Sequence, residues 1–226
     1  MNGVDALDAA IRSDAALSRL VERVTAEAST DPAHDVWHFR RVAAAASALA
    51  DTDEDRRLAI AAGFLHDIVH VPKNSPQRSQ ASELSAARAT TLLEECGFAP
   101  NDVAAVAEAI RDHSWSAGRV PATELGRILM DADRLEALGA IGIMRCVATG
   151  VTMGGRMFDP EDPFAERRPL DDKRFSLDHF YVKLLHLPAT FATARGRAEA
   201  ATRAAFLRTF AEQVAAELGV SPRPFP

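Results

Sequence analysis

Five of the chain's seven histidines fall in three short segments: HDVWH at 34–38, HDIVH at 66–70 and RDHSW around His113. Imidazole and carboxylate are the usual ligands of borderline divalent ions and the usual proton carriers near neutral pH, so this crowding asks for a chemical reason. In GFLHDIVH, His66 and Asp67 follow the apolar run AIAAGFL and are expected at or near the buried end of a helix. A carboxylate buried alone costs several kcal/mol or takes up a proton, so it needs a divalent cation, a cap or an ion pair. Adjacent helical residues diverge by about 100°, so this pair can serve one ion only if other elements close around it. His34 and His38, four apart, share a helix face, and Val42 and Leu49 continue the apolar positions that would bind that helix to the core. Further on, ILMDADRLEALGAIG sets Asp131 and Asp133 in an apolar segment. At about 200° apart on a helix, the two are not expected to face one ion together.

The elements that must position these groups are helices. Alanine, leucine, arginine and glutamate dominate, and alternating β-branched runs are almost absent. The period predicts helices at roughly 14–28, 35–51, 54–69, 79–96, 100–113, 122–148 with a break, 173–187 and 190–218. Asp31-Pro32 and Pro100-Asn101-Asp102 read as helix starts. With 226 residues, 47% of them hydrophobic, the chain can bury the core of one large domain, and an all-α single domain is expected. VPKNSPQRS at 71–79 is polar and directly follows an apolar helix end. The stretch from 150 to 172, rich in glycine, proline and charge, is long for a connector and fits a lid, a binding loop or a surface insertion. The tail VSPRPFP after Gly219 is expected to be poorly ordered unless it docks.

A formal net charge of -6 and a pI near 5.7 leave no overall footprint for a duplex nucleic acid or an anionic membrane, so a polyanionic substrate must be met by locally placed cations. No apolar run approaches the roughly 20 residues of a membrane span, and the first residues lack a basic start followed by an apolar stretch; a cytoplasmic protein is expected. Cys96 and Cys146 have no metal-finger spacing and read as reduced, packed thiols.

The order H…HD…D, with His38 in HxxRV, His66-Asp67 after an alanine-rich apolar helix and Asp133 in DADRL, resembles the HD superfamily of metal-dependent phosphohydrolases. PKNSPxR at 72–78, Ala81-Ser82, His113-Ser114, DADRLxALGAIG at 131–142 and DHFxxKLLxL at 178–187 resemble its small stand-alone bacterial members, some of which are nucleoside triphosphate pyrophosphohydrolases. The likeness spans about 34 to 210. It implies an all-α HD fold of roughly eight to ten helices. Within it, the metal-site core lies at 34–140, and helices at 173–218 complete the pocket. It also implies that His38, His66, Asp67 and Asp133 hold one divalent ion, Asp133 rather than Asp131 because the family's acid directly precedes a basic residue, here Arg134. Two imidazoles and two carboxylates suit Mn²⁺, Fe²⁺, Ni²⁺, Co²⁺ or Mg²⁺.

From the same resemblance, a nucleotide-like phosphate substrate is expected, with pyrophosphate release from a nucleoside triphosphate as the specific form. A nucleoside monophosphate phosphatase, a phosphodiesterase and a non-catalytic nucleotide sensor share the same ligand set, whereas a plain helical interaction module would use the histidines as core. Lys73, Arg78, Arg134, His179 and Lys183 are the candidates for substrate contact. His34 and His113, with Asp67, are the candidates for orienting the nucleophile or moving a proton. His70 and His186 read as structural. Trp37 and Trp115 are expected in the core rather than as platforms for a base. Tyr181 stays open between these two roles, and a homodimer is the assembly the resemblance implies.

Overall fold

A computed structural model describes residues 3–27, 35–71, 75, 77–114 and 119–226. Among them are ten α-helices and no strand; a single isolated bridge pairs Arg156 with Phe175. The expected all-α class is therefore the observed one. By contact the chain divides into two compact units, 1–133 and 134–226, the division falling inside one helix.

The first unit holds α1 (Gly3–Ser13), α2 (Ala15–Glu27), α3 (Val36–Leu49), α4 (Asp53–Leu65), a 3-10 turn at Arg78–Gln80, α5 (Ala81–Glu95), α6 (Pro100–Asp112) and most of α7 (Glu124–Leu135). Its centre is α4, whose last seven residues, Ala59 to Leu65, are all buried. A helix apolar all round must lie inside, and α3, α2, α5 and α6 surround this one. The helix starts have local causes. Asp14 Oδ1 accepts the N–H groups of Ala16 and Leu17 at 2.8 and 3.0 Å, and Thr52 caps α4 by accepting from Asp55 N at 3.1 Å. Asp53, Glu54 and Asp55 lie where the positive end of the helix dipole favours acids. Pro100 opens α6, where its missing N–H costs nothing, but Asn101 and Asp102 do not cap it. The predicted start at Asp31-Pro32 lies outside the described residues; α3 is capped by Asp35, which accepts from His38 N at 2.9 Å.

Arg57 ties this unit together. Its guanidinium reaches Asp14 Oδ2 at 2.6 Å and Asp102 Oδ2 at 2.7 Å, and it lies 4.4 Å from the centre of the Phe98 ring. Burial pushes the Asp14 carboxyl up, but the bonds from Arg57, Leu17 and Ala16 outweigh it and hold Asp14 below the ordinary aspartate range.

The second unit holds α8 (Gly139–Thr152), α9 (Ser176–Val182), a 3-10 segment at Leu184–Thr190 and α10 (Ala194–Leu218). The predicted helix at 173–187 thus splits in two, and the predicted 122–148 breaks at 136–138. The long 150–172 stretch is pinned from within. Arg168 grips the buried Asp178 with two bonds, of 2.5 and 3.0 Å, and lies over Phe175 at 4.4 Å. Asp162 accepts from the N–H groups of Glu166 and Arg167, both at 2.9 Å. The tail docks: Tyr181 stacks on Phe225 and donates to Arg223 O at 3.2 Å, while Arg223 donates to Ala165 O at 2.8 Å. Burial pushes the Tyr181 hydroxyl up to about 12.

Replacing Arg57 by Met leaves two part-buried carboxylates unpaired, a loss intermediate between exposed and buried ion pairs, about 1–2 kcal/mol. For a chain of this size the expected fall in Tm at pH 7 is about 2–8 °C. A depressed carboxyl contributes stability above its unfolded value and loses it as pH falls through the folded one. Thermal melts should therefore show the gap between the proteins narrowing below about pH 4.

Candidate metal centre

The site is built where two helices stop. α4 ends at Leu65 rather than at the predicted 69, and His66 becomes its cap; α6 ends at Asp112, and His113 becomes its cap. A helix end leaves carbonyl groups without intrahelical partners, and here each histidine ring answers one of them. His66 Nδ1 lies 2.9 Å from Gly63 O, and His113 Nδ1 lies 2.6 Å from Ile110 O. A carbonyl can only accept, so Nδ1 carries the proton in both rings, which leaves Nε2 as the nitrogen of each that can act as a ligand.

His66 is fully buried, His38 and His113 nearly so. His38 Nε2 and His66 Nε2 face one another at 3.2 Å. Asp133 Oδ1 lies 3.8 Å from the first and 3.7 Å from the second, and Asp67 Oδ2 lies 3.9 Å from His66 Nε2. Donor atoms of His38, His66 and Asp67 all fall within 4.8 Å of one another. Around an ion with bonds of about 2.1 Å, neighbouring ligands sit about 3 Å apart and opposite ones about 4 Å apart, and the separations of 3.2 to 3.9 Å about His66 Nε2 fall in that range. Their chemistry fits too. Lone pairs directed at one another are repulsive unless a proton or a cation lies between them. Burial holds the His113 imidazole below its ordinary range, the nearby His66 adding to the effect, so it is neutral at pH 7.

The histidine and aspartate pairs are arranged by close packing. An added Cβ at Gly63 would meet Ala43 Cα at 2.5 Å and Ala43 N at 2.7 Å, so glycine is what lets α3 and α4 approach closely enough for His38 and His66 to meet. Phe39 packs edge-on to His66, with ring centres 5.6 Å apart, and Ser85 Oγ accepts from Val69 N at 3.3 Å just beyond the His66-Asp67 pair. Gly63 and Asp35 were not among the expected site residues. The signals for them are the small residue three before the histidine and the D-x-x-H spacing of a cap.

Of the other expected site residues, His34, Lys73 and Trp115 lie outside the described residues, as does the side chain of Arg78. Asp131 is fully buried, and Asp133 is the acid brought to the imidazoles. Within the second unit, Arg134 donates to Thr190 O at 2.6 Å, His179 Nδ1 pairs with Asp172 Oδ2 at 2.9 Å, and Lys183 is exposed. Trp37 is not core: it is 63% exposed, because a helix that buries His38 and Phe39 turns residue 37 outward. His70 and His186 are exposed.

Gly63→Ala is expected to cost about 1–3 kcal/mol, the range of an overpacked core. Because the closest contacts are with the backbone of Ala43 and only the third, at 3.0 Å, is with its Cβ, the double change Gly63→Ala with Ala43→Gly should recover little of it, and thermal unfolding of the four proteins measures this directly.

The comparisons agree with this geometry. A model of the HD domain family matches residues 36–138, the stretch that carries all four clustered donors. The uncharacterized protein YpgQ of Bacillus subtilis is 25% identical over 194 residues, covering 80% of this chain and 82% of that protein. An HD-superfamily hydrolase of Bacillus thuringiensis superposes with a TM-score of 0.65 at 27% identity, over 97% of this chain and all of that one. A predicted HD superfamily hydrolase from an uncultured Thermotogales bacterium is 30% identical over 88% of each chain, with a TM-score of 0.57. The spacing of motifs, the convergence of their donors and these likenesses coincide on the same residues, and the chain belongs to the HD superfamily.

Proposed function

We propose that the protein is a divalent-metal-dependent phosphohydrolase of nucleotide-like substrates, whose reaction is release of pyrophosphate from a nucleoside triphosphate. The observation that carries this reading is the meeting of His38 Nε2 and His66 Nε2 at 3.2 Å, with Asp133 Oδ1 within 3.8 Å of both. His38, His66, Asp67 and Asp133 would hold one ion of Mn²⁺, Fe²⁺, Ni²⁺, Co²⁺ or Mg²⁺. Such an ion supplies Lewis acidity toward water and phosphate oxygens. The substrate class is supported by Bacillus subtilis YpgQ, whose crystal structure in complex with ADP superposes with a TM-score of 0.66 at 24% identity, over 90% of this chain and 97% of that one.

In the reaction, water oxygen forms a new P–O bond at the α–β anhydride, that anhydride breaks, and pyrophosphate leaves. His113, neutral and with Nε2 unprotonated, is the group proposed to accept a proton or orient the attacking water. Its Nδ1–H stays on the Ile110 carbonyl, which fixes both tautomer and ring angle. Asp67, 21% exposed, is proposed for both ligation and catalysis. His34 joins His113 in the proton-handling role on its motif, and Lys73, Arg78 and Lys183 are the cations proposed to meet substrate phosphates. Arg134 and His179, which also have protein partners, are proposed for substrate contact on the same motif grounds.

A panel of nucleoside mono-, di- and triphosphates assayed with Mn²⁺ is expected to give monophosphate and pyrophosphate from triphosphates. Phosphate released from monophosphates with triphosphates untouched would instead make the protein a monophosphatase, and saturable binding without turnover would make it a sensor. His113→Ala is expected to lower kcat by about 10²–10⁴-fold with metal content kept. Asp67→Ala and Asp133→Asn should lose the ion by elemental analysis of untagged protein. If Asp67→Ala keeps both metal and activity, the centre has been wrongly assigned.

A further inference from the structure

From Val36 to Ser47, every residue of α3 is buried or half-buried except Trp37, the largest side chain of the helix, which is 63% exposed. Its place is set relative to the metal donors. Asp35 accepts from His38 N at 2.9 Å and so fixes the turn that carries both residues. Trp37 and His38 are neighbours in the chain, with Cα atoms about 3.8 Å apart, and side chains on a helix lean toward its N-terminus. The N-terminal end of α3 is also where His38 meets His66, the residue that caps α4. The indole therefore projects at the end of the helix pair where the donors gather. That cluster opens to solvent on its carboxylate side: Asp67 is 21% and Asp133 36% exposed, whereas both imidazoles are buried.

We propose, resting on the reading of this centre as a nucleotide hydrolase, that the Trp37 indole stacks on the base of the substrate while the metal centre holds its phosphates. A tryptophan left in water forgoes the burial that its ring would gain elsewhere, and a flat partner such as a base restores it. Stacking uses the face of the ring, which every base has, so the platform selects for the presence of a base and not for its identity. An inorganic polyphosphate offers the same phosphate chemistry but no ring, and gains nothing from the indole. Trp37 is thereby a residue that tells nucleotides from bare polyphosphate.

Binding measurements on the full chain with Mg²⁺ test this. Trp115→Phe leaves Trp37 as the only tryptophan. In that variant, α,β-methylene triphosphates of adenosine, guanosine, cytidine and uridine, which cannot be cleaved between the α and β phosphates, should each quench the indole emission saturably. Tripolyphosphate should bind by calorimetry and leave the emission unchanged. Trp37→Ala is expected to weaken the four analogues about 5–150-fold, and Trp37→Phe much less, with tripolyphosphate affinity and metal content kept. Analogues that bind without quenching, or as tightly to Trp37→Ala as to the wild type, overturn the stacking and leave the hydrolase reading standing. A Trp37→Ala variant that loses the ion, or weakens tripolyphosphate equally, also overturns it, since the indole would then serve the metal centre and not a base. If neither the analogues nor tripolyphosphate bind the wild type, the hydrolase reading itself fails and the stacking fails with it.

Discussion

Where α4 and α6 end inside the first unit, their last carbonyl groups must find donors without help from bulk water, and a histidine ring supplies the donor at each end. That requirement sets the chemistry of the site. Once Nδ1–H is committed to Gly63 O or Ile110 O, the ring cannot rotate freely and its Nε2 cannot also be protonated while the imidazole is neutral. A structural need, capping a helix, thereby produces a chemical property, a lone pair of fixed direction in a poorly solvated place. Two aspartate oxygens within 3.9 Å of His66 Nε2 make the cluster richer in lone pairs still. Low local dielectric raises the cost of leaving such groups uncompensated, which is why a divalent ion is a natural counterpart.

The close crossing of α3 and α4 is the second half of the same constraint. His38 sits in the first turn of α3 and His66 just beyond the last turn of α4, so only an antiparallel, tightly spaced pair of helices can bring them to 3.2 Å. Gly63 makes the spacing, Asp35 fixes the turn that carries His38, and Phe39 fills the side of the His66 ring. None of these residues carries the chemistry, yet each sets a coordinate of a donor atom.

Much of the helical architecture was legible because its period is strong, and the buried position of His66 followed from the apolar run before it. The end of α4 was misplaced by four residues because periodicity describes a face and is blind to a ring bonding back to a carbonyl three residues earlier. α1 was missed altogether. Its core contribution, chiefly Leu7 and Ile11, is two residues in a short terminal segment, too few to stand out without knowing what they pack against. Asp131 and Asp133 could not be separated by helix angle alone, since that angle excludes using both but favours neither. In the structure Asp133 Oδ1 approaches two imidazoles. Trp37 was misread as core because residue type was weighed above position. On a helix whose inner face is set by His38, Phe39 and Val42, the neighbouring position must turn outward.

The 150–172 stretch shows the same limit from the opposite side. Glycine, proline and charge are what mobile loops contain, and composition alone left a lid, a binding loop and a surface insertion open. Order depends instead on whether each charge finds a local partner. Asp159 accepts from the N–H groups of Glu161 and Asp162, Asp162 from those of Glu166 and Arg167, and Asp178 from Asp171 N as well as from both arms of Arg168. Arg167, though exposed, likewise has a local partner in Glu161 O. Backbone donors that a loop would otherwise expose to water are thus satisfied by side chains a few residues away, the pattern of successive Asx turns. With Phe164 and Ala165 buried beneath them, the segment has its own small core, and opening it would require breaking the Arg168–Asp178 pair. Asp178 is 1% exposed, so separation would strand a desolvated carboxylate, and the cost of that charge holds the segment closed.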